Sequence, residues 1–195
     1  MNFYKIKDEI RILGLDDGPF NRGDESSLVV GCVFRGGSWL DGVLSTRVSV
    51  DGLDSTDKLI DLIQGCRFRD LRIVMIDGLG FAGFNLVDLG RLFSETGLPV
   101  IAVTRVKPDF PKIRRALKNL SEPDFRWGLV ESAGKPYSVE TRSAKKIYVQ
   151  SAGMEEDQVR EVVRLSATRS LLPEPIRCAH LIARGIVLGE SRGKA

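Results

Sequence analysis

Leu71-Arg72-Ile73-Val74-Met75-Ile76-Asp77-Gly78 (L-R-I-V-M-I-D-G) is the stretch on which the fold turns. Leu71 to Ile76 is apolar but for Arg72, as expected of a strand covered on both faces, and the acid–glycine pair ends it. Upstream, Ile10 to Leu15 is a second short apolar run that stops at Asp16-Asp17-Gly18-Pro19, so it reads as a strand and then a sharp turn. Between them lie Leu28 to Phe34 and Leu40 to Val50, two β-branched runs parted by Gly36-Gly37, the pattern of a hairpin. The period then changes. Leu59, Ile60, Leu62, Ile63 and Cys66 recur at helical spacing, with Asp54 and Ser55 as N-cap candidates ahead of them.

Downstream, the spacing predicts a helix over Asn85 to Thr96, with Gly97 as its C-cap, and another buried strand over Leu98 to Val103. Helix signals return at Lys112 to Leu120, Glu155 to Ala167 and Pro175 to Arg184, with a short strand at Ile147 to Gln150. The chain therefore reads as α/β: three antiparallel strands, then βα units, in one mixed sheet flanked by helices. A right-handed crossover places the Leu71 strand beside the first strand, which is the ribonuclease H-like arrangement. The carboxyl ends of those two strands, carrying Asp16-Asp17 and Asp77, are then neighbours.

The length of 195 residues fits one domain, residues 1–195. Hydrophobic content of 43% and charged content of 28% exclude disordered, collagen-like and coiled-coil classes. The net charge is +3, but residues 1–100 carry 11 basic and 15 acidic side chains while residues 101–195 carry 18 and 11. Such asymmetry suits a polyanion-facing side. One histidine excludes His-rich zinc sites, and Cys32, Cys66 and Cys178 have no metal-ligand spacing, so a reducing, cytoplasmic setting is expected. Met1 to Glu9 lacks the apolar core of a signal peptide, and no run is long enough to span a membrane.

Two carboxylates a few ångströms apart repel unless a cation neutralises them, and hard oxygen ligands suit Mg²⁺ or Mn²⁺. Asp16 and Asp77 are the candidate catalytic, metal-holding pair, and Asp17 or Asp54 is expected to add a ligand. Asp17 would face away if the strand ran on through it. Asp51-Gly52 is a turn signal, and Asp54 with Asp57 resembles a capping pair. Gly78, Gly80 and Gly83 spell G-x-G-x-x-G at the edge of this site. That spacing also occurs in dinucleotide loops, but here it is not in the first βα unit and follows an antiparallel hairpin. Arg105, Lys107, Lys112, Arg114, Arg115 and Lys118 form a basic segment opposed by Asp109 alone. It suits contact with a phosphate backbone, and nucleic acid is the expected partner. Phe81, Phe84, Phe110 and Trp127 are the aromatics available for base stacking.

Several of these stretches line up with a known family. Gly14-Leu15-Asp16 resembles the first-strand G-V-D of endonuclease V, I-V-M-I-D-G-L-G (73–80) its V-D-G-H-G loop, and P-V-I-A-V-T-R (99–105) its P-x-I-G-V-A-K. Ile147-Tyr148-Val149 and L-P-E-P-I-R-C-A-H (172–180) are similar to its Y-V-S and L-P-E-P-x-R-x-A-H segments. A closer resemblance is to an archaeal family of unknown function related to endonuclease V, number 99 in the domain-of-unknown-function series. Asp16-Asp17-Gly18 followed by Pro19-Phe20, and Asp77-Gly78 with Gly83-Phe84-Asn85, match its pattern. The resemblance implies an RNase H-like fold and Mg²⁺-dependent phosphodiester cleavage near a deaminated purine, with Asp16 and Asp77 on the metal. It implies as the alternative a binding protein that keeps the fold without the chemistry. Leu79 and Gly83 stand where endonuclease V has histidines, Arg105 where it has lysine, and no Glu stands near Asp54 or Ser55. His180 is expected to pack or cap.

Overall fold

The computed structural model describes residues 6–142 and 144–191; the N-terminal stretch before Ile6 lies outside the described residues. Its elements are β1 (Arg11–Asp17), β2 (Ser26–Arg35), β3 (Trp39–Ser49), α1 (Ser55–Gly65), β4 (Ile73–Asp77), β5 (Gly80–Phe81), β6 (Asn85–Leu86), α2 (Leu89–Thr96) and β7 (Val100–Thr104). They continue with α3 (Phe110–Leu117), α4 (Pro123–Ser132), β8 (Tyr137–Glu140), β9 (Lys146–Ala152), α5 (Glu156–Ser166) and α6 (Glu174–Leu188). Seven strands form one mixed sheet in the order β3-β2-β1-β4-β7-β9-β8, and β5 with β6 makes a small separate hairpin. The first three strands are antiparallel, while β1–β4 and β4–β7 are parallel. This is the expected core topology. None of the described helices is long and apolar enough to cross a membrane.

Strand periodicity divides the core into two layers. Leu13, Leu15, Val74 and Ile76 face one side and pack with Leu59, Ile63 and Leu92 of α1 and α2. Ile12, Ile73 and Met75 face the other and pack with Val159, Val163 and Ile176 of α5 and α6. Both central strands are thus covered twice, which is why their sequences read as continuous apolar runs.

Five elements differ from the sequence expectation: α2 starts late, and β5, β6, α4 and β8 are additional. The helix placed over Asn85 to Thr96 starts only at Leu89, where the Asp88 carboxylate accepts from the Arg91 N–H. Asn85 and Leu86 pair instead with Gly80 and Phe81, because the Asn85 amide is needed elsewhere. Its Oδ1 accepts from the Ser55 N–H at 2.9 Å and its Nδ2 donates to Ser49 O and Asp54 Oδ1, so Asn85 caps α1 in place of Asp54. Helix α4 and strand β8 were not expected at all.

Helix α6 lies directly on β1, and Gly14 is the reason. A Cβ there would stand 2.3 Å from the Pro175 backbone. Glu174, itself buried, receives a two-pronged contact from Arg177 at 2.7 and 2.9 Å and sets the start of the helix. The L-P-E-P-I-R motif is therefore an anchoring device for α6.

Candidate functional site

From the Gly14–Pro175 contact, two strand residues advance about 6.7 Å and five helical residues about 7.5 Å. That step carries β1 to Asp16 and α6 to His180. Asp16 shares the face of Ile12 and Gly14, and Asp77 shares the face of Ile73 and Met75. The parallel register sets Leu15 beside Ile76, so Asp16 and Asp77 follow side by side. Ligand-type atoms of Asp16, Asp77 and His180 all lie within 4.8 Å of one another. Asp16 Oδ2 is 2.7 Å from His180 Nδ1. His180, read from sequence as a packing residue, is instead part of the only such group of three among the described residues.

Asp17 and Asp54 lie outside this group. Strand β1 does run on through Asp17, which turns its carboxylate to the opposite side, where Oδ2 accepts from the Ala82 N–H at 2.9 Å. Asp54 accepts from Ser49 and Asn85. Partial burial works against its charge, but those hydrogen bonds hold its carboxyl below the usual range. Both therefore have structural partners, and a three-donor set of two oxygens and one nitrogen remains at the strand ends.

The electrostatics of that set suit a cation. Burial, and then the neighbouring charge of Asp16, push the Asp77 carboxyl up to about 7, against the pull of Arg105 and His180. Burial and Asp16 likewise push Asp17 up to about 6. A divalent ion would relieve the crowding of negative charge, and three donors leave positions open for water or a phosphate oxygen.

The glycines at the edge form a turn rather than a helix entrance. Gly78 and Gly83 have positive φ, 76° and 91°, and a Cβ on Gly83 would meet Asp51 Oδ1 at 2.3 Å. The chain goes on into the β5–β6 hairpin, which removes the helix N-terminus that a dinucleotide loop requires. Phe81 is fully buried and belongs to the core, not the rim. Beneath the loop sits Arg126 of α4, a residue with no sequence signal. It is 1% exposed and donates to the carbonyls of Gly52, Ser121, Phe84 and Asp51. It ties the turn after β3 to the glycine loop.

Two concave surfaces flank the carboxylates. On the β7 side is an apolar cavity of about 280 Å³, lined by Leu79, Phe84, Val106, Phe110, Ile113 and Gln150 among others. The six cations of the basic segment are all exposed, on the turn after β7, on α3 and at its C-cap. Arg114 stacks over the Trp127 ring at 5.0 Å, and Phe110 meets that ring edge-on at 6.2 Å. On the β1 side an open cleft of about 410 Å³ is bordered by Asp16, Asp17, Asp77, His180, Phe20 and Arg184, among others.

Comparison with known proteins agrees with this architecture. The family model described as Endonuclease dU matches residues 8–187. A UPF0215 protein of Methanothermobacter thermautotrophicus is 54% identical, over 100% of this chain and 96% of its own length. A crystal structure of a protein of unknown function from Archaeoglobus fulgidus superposes with a TM-score of 0.81 and 38% identity, covering 91% of this chain and 97% of that one. Endonuclease V of Ciona intestinalis, in complex with inosine-containing DNA, superposes with a TM-score of 0.59 at 15% identity, covering 92% and 86%. That last likeness is one of fold: the sheet and its helices have the RNase H-like arrangement.

Proposed function

The chain belongs to the Endonuclease dU family, and from that premise we propose that it is a divalent-metal-dependent endonuclease acting on nucleic acid with a deaminated base, deoxyuridine above all. The observation that carries this reading is the convergence of Asp16, Asp77 and His180 at the carboxyl edge of two central strands. Asp16 and Asp77 would hold Mg²⁺ or Mn²⁺, with His180 as third donor or as the group that orients Asp16. When bound, the ion supplies charge neutralisation at the phosphoryl oxygens and activates water for hydrolysis.

The protein's own groups do the rest. The 2.7 Å contact with His180 fixes the Asp16 carboxylate. Arg105 supplies positive charge near Asp77 and, with Lys107, Lys112, Arg114, Arg115 and Lys118, would hold the phosphate backbone. The apolar cavity beside the glycine loop has the size and lining to take one unstacked base.

A second reading, a nucleic-acid-binding protein without hydrolysis, draws on the commitment of Asp54 to Ser49 and Asn85, which leaves two carboxylates in the group. One experiment separates the two. Single- and double-stranded DNA and RNA, with and without deoxyuridine or inosine, are incubated with the protein in Mg²⁺ or Mn²⁺. The nuclease reading expects cleavage of a deaminated strand and a loss of at least about 100-fold in Asp16→Asn. Binding without cleavage by the unaltered protein supports the second reading, and neither binding nor cleavage overturns both.

A further inference from the structure

Arg184 takes no part in the chemistry assigned to Asp16, Asp77 and His180, yet it borders the same cleft. It stands four residues after His180 on α6, so both side chains leave the same face of the helix, about 6 Å apart along its axis. The strand side closes tightly on this part of the helix: a Cβ on Gly18 would meet Val187 Cγ2 at 3.0 Å and Ala183 O at 3.5 Å. Arg184 Nε is buried without a hydrogen-bond partner. Among the described residues its guanidinium makes no ion pair either, although Arg11, Arg35, Arg91, Arg160 and Arg177 all do. A cation in an acidic cleft that reaches no carboxylate leaves room for an anion between them. With Nε buried, the two terminal Nη groups of its planar fork are the donors that match two oxygens of one phosphate. Phe20 borders the same cleft and is 37% exposed despite its apolar ring.

We propose, resting on the nuclease reading, that this cleft is a second nucleotide subsite, in which Arg184 holds the phosphate and Phe20 stacks the base of the nucleotide flanking the scissile bond. It lies on the opposite side of the carboxylates from the basic segment. Helix α6 covers β1 and β2, whereas the basic segment follows β7, two strands beyond β1 in the sheet. A strand gripped at both ends would cross the carboxyl edge of the sheet with its scissile phosphodiester over Asp16 and Asp77.

The test is binding of a fluorescent single-stranded deoxyuridine oligonucleotide, with Ca²⁺ in place of Mg²⁺, to the full-length protein and to Arg184→Gln. The variant is expected to bind about tenfold more weakly, and the slope of log K against log salt to fall by about 0.7, one phosphate contact. A single uncharged methylphosphonate, scanned along the strand, should at one position weaken the unaltered protein about tenfold and leave Arg184→Gln unaffected. Phe20→Ala should weaken binding several-fold, and not when the flanking base is replaced by an abasic site. Equal affinity and slope, or a methylphosphonate profile shared by both proteins, would overturn the subsite. If in that case cleavage still depends on Asp16, the nuclease reading stands alone. If the unaltered protein neither binds nor cleaves any strand, both fall.

Discussion

Asp77 shows how a buried carboxylate beside another strains the fold. Its carboxyl sits at about 7 because burial and the Asp16 charge disfavour the anion, while in an unfolded chain it titrates near 4. Between those values the folded state binds the extra proton, so stability falls as pH rises from about 4 to about 7. Above that window the charged pair is a standing cost that a bound divalent ion would remove. In chelator at pH 8, Asp77→Asn should therefore stabilise the protein by about 2 kcal/mol, allowing for partial solvent screening, or about 4–8 °C in Tm. The gain should shrink at pH 5, and the Tm rise on adding Mn²⁺ should disappear in the variant. Calorimetry at the two pH values checks this, and a destabilised variant at pH 8 would show that Asp77 serves packing instead. That Asp16 and Asp77 lie side by side was legible in the sequence, because strand alternation and a parallel crossover are rules that add up. His180 was not. It is 164 residues from Asp16, and what joins them is the bare backbone of Gly14, which lets α6 descend onto β1.

Among the elements, those that follow a plain hydrophobic period were readable and those built around a polar anchor were not. Strands β1, β2, β4 and β7 bury continuous apolar runs, β3 alternates, and helix α1 buries apolar residues at helical spacing. Helix α4 does not: its buried positions are Arg126 and Val130, so a charged residue occupies the place that a pattern search expects to be apolar. The late start of α2 has the same origin, since Asn85 serves α1 rather than its own helix. Arg126 should accordingly matter more than its residue type suggests. Burial pulls its guanidinium below the usual arginine range, yet it is retained by backbone carbonyls from both turns beside the site. Arg126→Met would leave those carbonyls buried without a donor, at a cost of about 3 kcal/mol in denaturant unfolding. Because the Gly52 and Phe84 carbonyls belong to the turn after β3 and to the glycine loop, amide exchange should quicken in both. A variant as stable as the parent, with unchanged exchange, would mean that water replaces the guanidinium at no cost.

Across the whole molecule the small net charge conceals a division that the sheet makes spatial. The carboxylates gather at the carboxyl edge of the central strands, and the exposed cations of the basic segment follow β7 on one side of them. Attraction of a polyanion to the cationic side would bring its backbone toward the carboxylates, whose own field repels phosphate until a divalent ion screens it. Two consequences can be measured together. Reversing Arg114 and Arg115 to Glu should weaken single-stranded DNA binding by about 100-fold at 0.1 M salt and lower the salt slope by about 1.4, two phosphate contacts. Thermal stability should change by less than about 1 kcal/mol, since both side chains are exposed and only Arg114 leans on a ring, that of Trp127. The metal response should be untouched, because the reversal leaves Asp16, Asp77 and His180 in place. If affinity and slope instead match the unaltered protein, α3 is an ordinary solvated face. The charge asymmetry between the two halves of the chain would then follow from which elements happen to be exposed, and the nucleic acid would have to enter along α6.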